Sequence, residues 1–271
     1  MDFLSFFAVL DPKGTIALAE RSLMLYATLF MLIVAVPVFL LTFFFAWHYR
    51  AGNKKAKYTP EWEHSTMEEI IWWAIPFEIV LILGALTWSS THELDPPRPL
   101  SEIPPVVIQA IALEWKWLFI YPEEGVASVN YLQMPVGTPV RFDITADAPM
   151  NAFWIPSLGG QMYAMTGMTN RLNLMAEEEG QYEGRSSNYS GDGFAKMQFT
   201  AEAVAPEEYE AWVQEASADP DILSFTEYQT LAEPSTENPV EYYGEVEANL
   251  YDKITGQFMD HAMEKFHFPA H

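Results

Sequence analysis

A long uncharged segment near the N-terminus constrains this chain more than any other feature of its sequence. From Ser22 to Trp47 there is no Asp, Glu, Lys or Arg. A helix that crosses the hydrocarbon core of a membrane needs roughly 20 predominantly apolar residues, and a core helix of a soluble protein rarely stays uncharged for so long. The segment therefore predicts a transmembrane helix over about residues 22–48.

A second apolar segment, Ile70 to Ser90, follows after a short polar stretch. The basic residues of that stretch are Arg50, Lys54, Lys55 and Lys57. Clustered basic residues beside membrane helices mark the cytoplasmic side. Residues 22–91 are thus predicted to form a transmembrane helical hairpin, with helices at about 22–48 and 69–91 and a short cytoplasmic loop. The N-terminal segment 1–21 and everything after the hairpin would then lie in the periplasm.

The spacing of apolar residues along the sequence changes after the hairpin. Residues 92–105 are rich in proline, which predicts an extended linker. Beyond them apolar and polar residues alternate, as in Ile111–Phe119 and Val140–Ile144. Such alternation between Gly, Pro and Asn turns is typical of an antiparallel sandwich or barrel, here predicted for residues 106–204. From Pro206 the pattern is helical again, with proline at a helix start and acids in its first turn.

Charge and cysteine content exclude several functions. The chain has 37 acidic residues against 14 basic ones, a net charge of −23, and most of the acids follow the hairpin. Nucleic acid is therefore excluded as a partner, because phosphate binding needs a basic face. The acidic region either keeps the domain soluble or docks a basic protein. There is no cysteine, so a thiolate metal site cannot form, and no P-loop or G-x-S-x-G motif indicates catalysis on this chain.

A loop with the frame of a metal-binding site lies within the predicted β domain. Residues 182–197 read Y-x-G-x-S-x-x-x-S-x-x-x-F-x-x-M. This frame resembles the loop of cytochrome c oxidase subunit II that holds a dinuclear copper centre and reads Y-x-G-x-C-x-E-x-C-x-x-x-H-x-x-M. Residues 151–159 resemble the same family's H-x-W-x-x-P-S-L-G, with Asn151 in place of histidine and Phe153 in place of tryptophan. The resemblance covers about residues 11–263.

The resemblance implies that the copper ligands have been replaced. The positions that correspond to ligands are, in chain order, Asn151, Ser186, Asn188, Ser190, Phe194 and Met197. Only the last, a methionine, retains the family's residue. A dinuclear copper centre needs soft thiolates and neutral imidazoles, whereas hydroxyls, amides and a phenyl ring are neither. These positions are therefore expected to bind no metal.

This pattern of loss resembles the quinol-oxidising branch of the heme-copper oxidases, the cytochrome bo-type ubiquinol oxidases. The resemblance implies a cupredoxin-like Greek-key barrel without copper for residues 106–204 and an aromatic-rich helical C-terminal extension for residues 205–271. It implies subunit II of a proton-pumping complex of the bacterial inner membrane that oxidises ubiquinol and reduces oxygen to water. Two hemes and one copper would belong to subunit I, and subunits I, III and IV with membrane lipid would be the partners.

Two alternatives remain open at this point. One is a subunit II of cytochrome c oxidase in which the copper centre has been lost, which the acidic domain favours. The other is a membrane-anchored cupredoxin that binds copper, which the zero cysteine content disfavours.

Glu69 is the candidate functional residue of the hairpin. Residues 69–76 resemble the E-x-x-x-W-T-x-P of quinol-oxidase members, with Ala74 in place of threonine. The resemblance implies that Glu69 is the carboxylate at the cytoplasmic mouth of the K-pathway, which takes up protons for subunit I. The alternative is a first-turn acid that only meets the positive end of the helix dipole. Glu78, inside the second apolar segment, is expected to contact subunit I.

Two tryptophans stand in an aromatic segment, residues 114–122, that the family also has. Trp115 and Trp117 are predicted to pack the barrel against subunit I, since no copper is left for electron transfer through them.

Overall fold

The computed structural model describes residues 8–57 and 59–266 and divides the chain into two compact units. One unit is Ser22–Asp95, and the other is the described part of Met1–Arg21 and Pro96–His271. Residues 1–7 of the predicted N-terminal segment and residues 267–271 of the predicted extension lie outside the described residues.

Two long helices form the hairpin. Helix α1 is Thr15–His48 and helix α2 is Thr66–Glu93, and both are long and apolar enough to cross a membrane. The predicted hairpin is therefore confirmed, although both helices begin earlier than the apolar patterns indicate. Helix α2 begins at Thr66 because Ser65 takes the extended conformation of an N-cap residue and Glu68 and Glu69 fall in the first turn.

The β domain contains two sheets. The strands in chain order are β1 (Val106–Leu113), β2 (Lys116–Tyr121), β3 (Val126–Val129), β4 (Tyr131–Pro135), β5 (Val140–Ala146), β6 (Asn151–Trp154), β7 (Met162–Ala164), β8 (Asn170–Leu174), β9 (Gly180–Ser186) and β10 (Gln198–Val204). One sheet has the order β12-β3-β2-β1-β5-β8, where β12 is Glu241–Tyr243, and the other has the order β4-β10-β9-β6-β7. Apolar side chains of both sheets meet in one core. The predicted cupredoxin-like domain is confirmed.

Two strand pairings within these two sheets are parallel, although the alternating pattern predicts an antiparallel arrangement. Strand β1 pairs in parallel with β5, and β10 pairs in parallel with β4. Parallel partners need a long connection, and in both cases the connecting chain includes at least one strand of the other sheet.

The alternation of apolar and polar residues over Ile111–Phe119 indicates a strand, but the segment is not one continuous strand. The chain turns back at Glu114 and Trp115, and Leu113 pairs with Lys116 in an antiparallel hairpin. Trp115, the second residue of this turn, has φ 71° and so lies in the left-handed region of backbone conformation. The alternation continues through this turn, so the sequence pattern does not reveal it.

The C-terminal extension covers the outer face of the first sheet. Its elements are α3 (Pro206–Ser217), β11 (Ile222–Leu223), α4 (Phe225–Leu231), β12, β13 (Glu245–Val246) and α5 (Leu250–Phe266). Tyr228 and Ile254 of the extension pack with Ile111, Leu118 and Ile120 of the sheet in a second apolar cluster. The prediction of a helical extension is correct for α3, α4 and α5, and the structure adds that β12 lengthens the first sheet beside β3.

An N-terminal strap, residues 13–17, ties the start of α1 to the β domain. The Lys13 N–H donates to Ser157 O at 2.7 Å, and the Ala17 N–H donates to Leu158 O at 3.1 Å. The Lys13 ammonium lies 2.8 Å from a Glu178 carboxylate oxygen. Gly14 passes so close to the backbone that a Cβ there would lie 2.7 Å from Leu158 O and 2.8 Å from the carbonyl oxygen of residue 175. Only glycine fits this position.

Candidate functional site

The residues that correspond to copper ligands come together at one end of the β domain. Asn151 is the first residue of β6, and Ser186 is the last residue of β9. These strands are neighbours, with Phe153 paired to Ser186. Asn188 and Ser190 follow β9, while Phe194 opens a short 3-10 helix that ends before Met197. The frame found in the sequence is therefore a spatial cluster.

Hydrogen bonds among these side chains hold the loop. The Ser186 hydroxyl donates to Asn151 Oδ1 at 2.7 Å, and Asn151 Nδ2 donates to Pro149 O at 2.7 Å. Asn188 Nδ2 donates to Met150 O at 2.8 Å. Asn151 is fully buried and Ser186 is 4% exposed. The two positions therefore form a direct hydrogen-bonded bridge between β9 and β6.

The remaining positions of the frame serve packing rather than polar bonding. Met197 is buried in the domain core, and its backbone oxygen accepts from the Ser186 N–H at 3.2 Å. The Phe194 ring meets Tyr189 edge-on, with ring centroids 5.6 Å apart. Ser190 is 8% exposed, and its hydroxyl has no hydrogen-bond partner among the described residues.

This set of side chains does not fit a redox copper centre. Copper binding of that kind needs deprotonated sulfur and imidazole nitrogen, whereas the polar groups here are neutral hydroxyls and amides that already bond to one another. Among the residues that the structure describes, no group of three or more His, Cys, Asp or Glu side chains could hold a metal ion. No electron-transfer step is therefore assigned to this loop.

Trp115 packs over the loop from the side of the first sheet. Its indole N–H donates to Ser190 O at 3.1 Å. A Cβ at Gly191 would lie 3.2 Å from the indole ring, and one at Gly193 would overlap it. The glycines of the loop therefore make room for this ring. Trp115 is partly buried by the chain's own loop, so the predicted contact with subunit I is not what holds this side chain in place.

The position of Trp117 contradicts the prediction that this side chain packs the barrel against subunit I. Its side chain is fully buried in the core, stacked on Phe119 at 6.5 Å and edge-on to Phe153 at 5.4 Å. A fully buried ring cannot contact another subunit, so the prediction of an interface aromatic is wrong for Trp117. The reason is the hairpin turn at Glu114 and Trp115, which directs Ala112 and Trp117 to the inner face as a cross-strand pair.

Glu69 lies at a different place, in the first turn of α2. Its carboxylate oxygen Oε1 is 2.5 Å from His64 Nδ1, and the side chains are 40% and 64% exposed. The Thr66 hydroxyl is 3.2 Å from the other ring nitrogen of His64. Sequence reasoning missed His64, because a histidine in a polar loop carries no periodic signal. Glu78 is exposed on the same helix.

Buried titratable groups join the extension to the β domain. Lys116 is 2% exposed, and its ammonium donates to Glu233 O at 3.0 Å and to the Ser235 hydroxyl. Burial lowers the pKa of Lys116, against the opposing effect of Glu241. Burial also raises the pKa of Tyr228, whose hydroxyl donates to Asp147 Oδ2 at 2.5 Å. Both groups hold the extension on the sheet.

Comparisons with known proteins agree with this architecture. Residues 126–204 match the family "Cytochrome C oxidase subunit II, periplasmic domain", and residues 218–262 match the "COX Aromatic Rich Motif". The second match coincides with most of the extension that covers the outer face of the sheet.

Three relatives are similar over almost the whole of this chain and over about four fifths of their own length. The cytochrome bo(3) ubiquinol oxidase subunit 2 of Pseudomonas putida is 50% identical over 92% of this chain and 80% of its own. The cytochrome bo(3) ubiquinol oxidase subunit 2 of Pseudomonas aeruginosa is 48% identical over 94% of this chain and 77% of its own. The ubiquinol oxidase subunit 2 of Acetobacter aceti is 45% identical over 92% and 82%. With its membrane hairpin, cupredoxin-like domain and aromatic-rich extension, the chain belongs to the subunit 2 family of the cytochrome bo-type ubiquinol oxidases.

Proposed function

We propose that this chain is the non-redox subunit 2 of a membrane complex that takes electrons from ubiquinol and reduces oxygen to water. The observation that carries the proposal is the hydrogen bond from Ser186 to Asn151, which occupies the frame of the copper centre. A subunit that passes electrons from a soluble cytochrome needs a redox group, whereas a quinol can deliver electrons from within the membrane. The names of the relatives support the same assignment.

The proposal assigns the redox groups to other chains. Two hemes, one copper and the ubiquinol site would belong to subunit I, and subunits III and IV would complete the complex. The bacterial inner membrane would hold the hairpin, with the N-terminus and the β domain on the periplasmic side. The basic residues of the segment between α1 and α2 support this orientation.

The chain's own contribution to turnover is proton uptake through Glu69. A carboxylate at the end of a membrane helix can exchange protons with water and present them to the neighbouring subunit. The half-exposed side chain of Glu69 and its contact with His64 support this role. His64 also fixes the position of the carboxylate in the first turn of α2.

An oxygen-uptake assay of the purified complex tests the main proposal. Ubiquinol should support rapid oxygen consumption, and reduced cytochrome c should support none. The cytochrome c alternative predicts the reverse, with a rate that falls steeply as salt is raised. A variant with Glu207→Gln and Glu210→Gln on the exposed face of α3 should keep the ubiquinol rate at any ionic strength.

Glu177 and Glu178 are unsuitable for that test of acidity. The Glu177 carboxylate accepts from the Thr15 hydroxyl at 2.6 Å, and Glu178 pairs with Lys13. Neutralising them would weaken the N-terminal strap, so a change in rate could come either from the lost surface charge or from the lost contacts of the strap.

Restoring the ligands tests the alignment of the loop. If the frame is right, a variant that carries both thiolates, both imidazoles and the glutamate should bind copper and give the absorption of a mixed-valence centre. The substitutions are Asn151→His, Ser186→Cys, Asn188→Glu, Ser190→Cys and Phe194→His. A variant that folds and stays colourless with copper would contradict the alignment.

A further inference from the structure

Methionines gather where β6 begins and β7 ends. The segment that contains β7, residues 162–168, reads M-Y-A-M-T-G-M, with a methionine at every third position. A fourth methionine, Met150, directly precedes β6. Met162 packs against the domain core, whereas Met150 is 43% and Met168 is 52% exposed. Methionine is among the residues most often fully buried, so two exposed methionines at one end of the domain point to a role other than packing.

The pairing of β6 with β7 brings two of these methionines side by side. The strands are antiparallel, and Asn151 opposite Ala164 is their last pair at this end. The same register, continued by one residue, sets Met150 opposite Met165. The Cβ atoms of opposite residues in antiparallel strands are about 4.5–5.5 Å apart. The two side chains therefore start from neighbouring points of the backbone.

A turn after β7 brings Met168 back to the same place. The Met168 N–H donates to Met165 O at 3.3 Å, and Gly167 between them has φ 71°, a conformation that glycine adopts readily. The Cα atoms of the first and last residues of a four-residue turn lie less than about 7 Å apart. The Thr166 hydroxyl donates to Ala148 O at 3.1 Å, which holds this turn against the chain that leads into β6.

Three thioethers at this spacing suit a monovalent copper ion. Thioether sulfur is a soft, uncharged ligand that selects Cu(I), whereas carboxylate and water oxygens suit harder cations. The methionine side chain is unbranched and has three rotatable bonds, so sulfur atoms carried on backbone positions this close can turn towards one ion. The net charge of −23 attracts cations to the chain.

We propose that Met150, Met165 and Met168 bind one Cu(I) ion through their sulfur atoms. The site uses none of the residues that correspond to ligands of the dinuclear copper centre, and it is independent of the proposed function. It takes no part in electron transfer, because three thioethers favour Cu(I) and supply no nitrogen or oxygen ligand of the kind that suits Cu(II). Replacement by leucine distinguishes this site from a merely apolar surface, since leucine keeps the volume of methionine and removes the sulfur.

An anaerobic titration of the full chain in detergent tests the proposal, with Cu(I) supplied on a chelator whose absorption reports the copper it holds. The parent should withdraw one equivalent of Cu(I) from the chelator, and X-ray absorption of the loaded chain should show sulfur as the only kind of ligand atom. Each single change to leucine should weaken binding by about tenfold or more, since even the outer partners of metal ligands contribute about tenfold to affinity. The triple variant Met150→Leu, Met165→Leu, Met168→Leu should withdraw none.

Met67→Leu is the matched control. Met67 is 74% exposed in the first turn of α2 and has no second methionine within three positions along the chain. This variant should bind Cu(I) as tightly as the parent does. Circular dichroism of every variant verifies that the fold is kept, as expected for substitutions of similar volume.

Three outcomes would overturn the proposal. In the first, the parent withdraws no Cu(I) from the chelator. In the second, the folded triple variant withdraws as much Cu(I) as the parent, which would place the binding elsewhere on the chain. In the third, Met67→Leu loses as much binding as the triple variant, which would reveal unspecific binding by exposed thioethers.

Discussion

Ser186 and Ser190 correspond to the two bridging cysteines of the copper loop, yet their removal should have opposite effects. Ser186→Ala removes the donor of the bond to Asn151 Oδ1, and Asn151 is fully buried. A buried acceptor left without a partner costs about 1–3 kcal/mol. Ser190→Ala removes a buried hydroxyl that has no partner among the described residues. Its loss should cost nothing or stabilise the domain slightly, because the desolvation cost of an unpaired group disappears.

Thermal unfolding of the full chain in detergent, followed by near-ultraviolet circular dichroism, measures both effects. A loss of about 2 kcal/mol corresponds to a decrease in Tm of roughly 4–8 °C for a domain of this size. Ser186→Ala should show this decrease, whereas Ser190→Ala should stay within about 2 °C of the parent, since a change under about 0.5 kcal/mol is expected. Equal losses for the two variants would contradict the hydrogen-bonded bridge as the element that holds the loop.

Three further predictions concern the strap, the buried lysine and the hairpin. Gly14→Ala should destabilise the β domain by about 1–3 kcal/mol in denaturant unfolding, because the Cβ meets backbone atoms. Gly256→Ala, where a Cβ meets open space, should not. Burial lowers the pKa of Lys116, which means that the charged ammonium destabilises the folded state relative to the unfolded one. This destabilisation disappears as the pH rises towards 10.5, the pKa of the lysine in the unfolded chain, because the ammonium then loses its proton. Stability measured against pH should therefore rise more steeply for the parent than for Lys116→Met. Glu69→Gln should assemble normally and lose much of its oxygen-uptake rate. Glu68→Gln, about 100° round the helix, should keep that rate. If both variants keep the parent's rate, Glu69 is only a charge at the end of the helix.

Spacing in the sequence was sufficient to find the loop. The frame of residues 182–197 and its partner at residue 151 lie on neighbouring strands, as a shared metal site in the family requires. The bond that replaces the metal was not predictable from spacing. Whether Ser186 faces Asn151 or solvent depends on the register of β6 against β9, and only the folded sheet fixes that register.

The positions of Trp115 and Trp117 could not be predicted from the alternation of apolar and polar residues. Alternation over Ile111–Phe119 predicts one strand with one exposed face. The domain instead turns at Trp115 and buries both faces of the hairpin, one in the core and the other under the extension. A face covered by a distant part of the chain carries no local signal. For the same reason the strap escaped prediction, because its partners lie far along the sequence.

The strap has a consequence for the order in which the chain acquires its structure. Lys13 and Glu178 are separated by 165 positions. During synthesis at roughly 5–20 residues per second, the start of α1 must wait about 10–30 s before its partner exists. Throughout that interval the first helix is already long enough to insert into a membrane, while the residues that precede it have no β domain to bind. Insertion and anchoring are thus separate events, and docking of the strap is among the last contacts that the newly made chain can form.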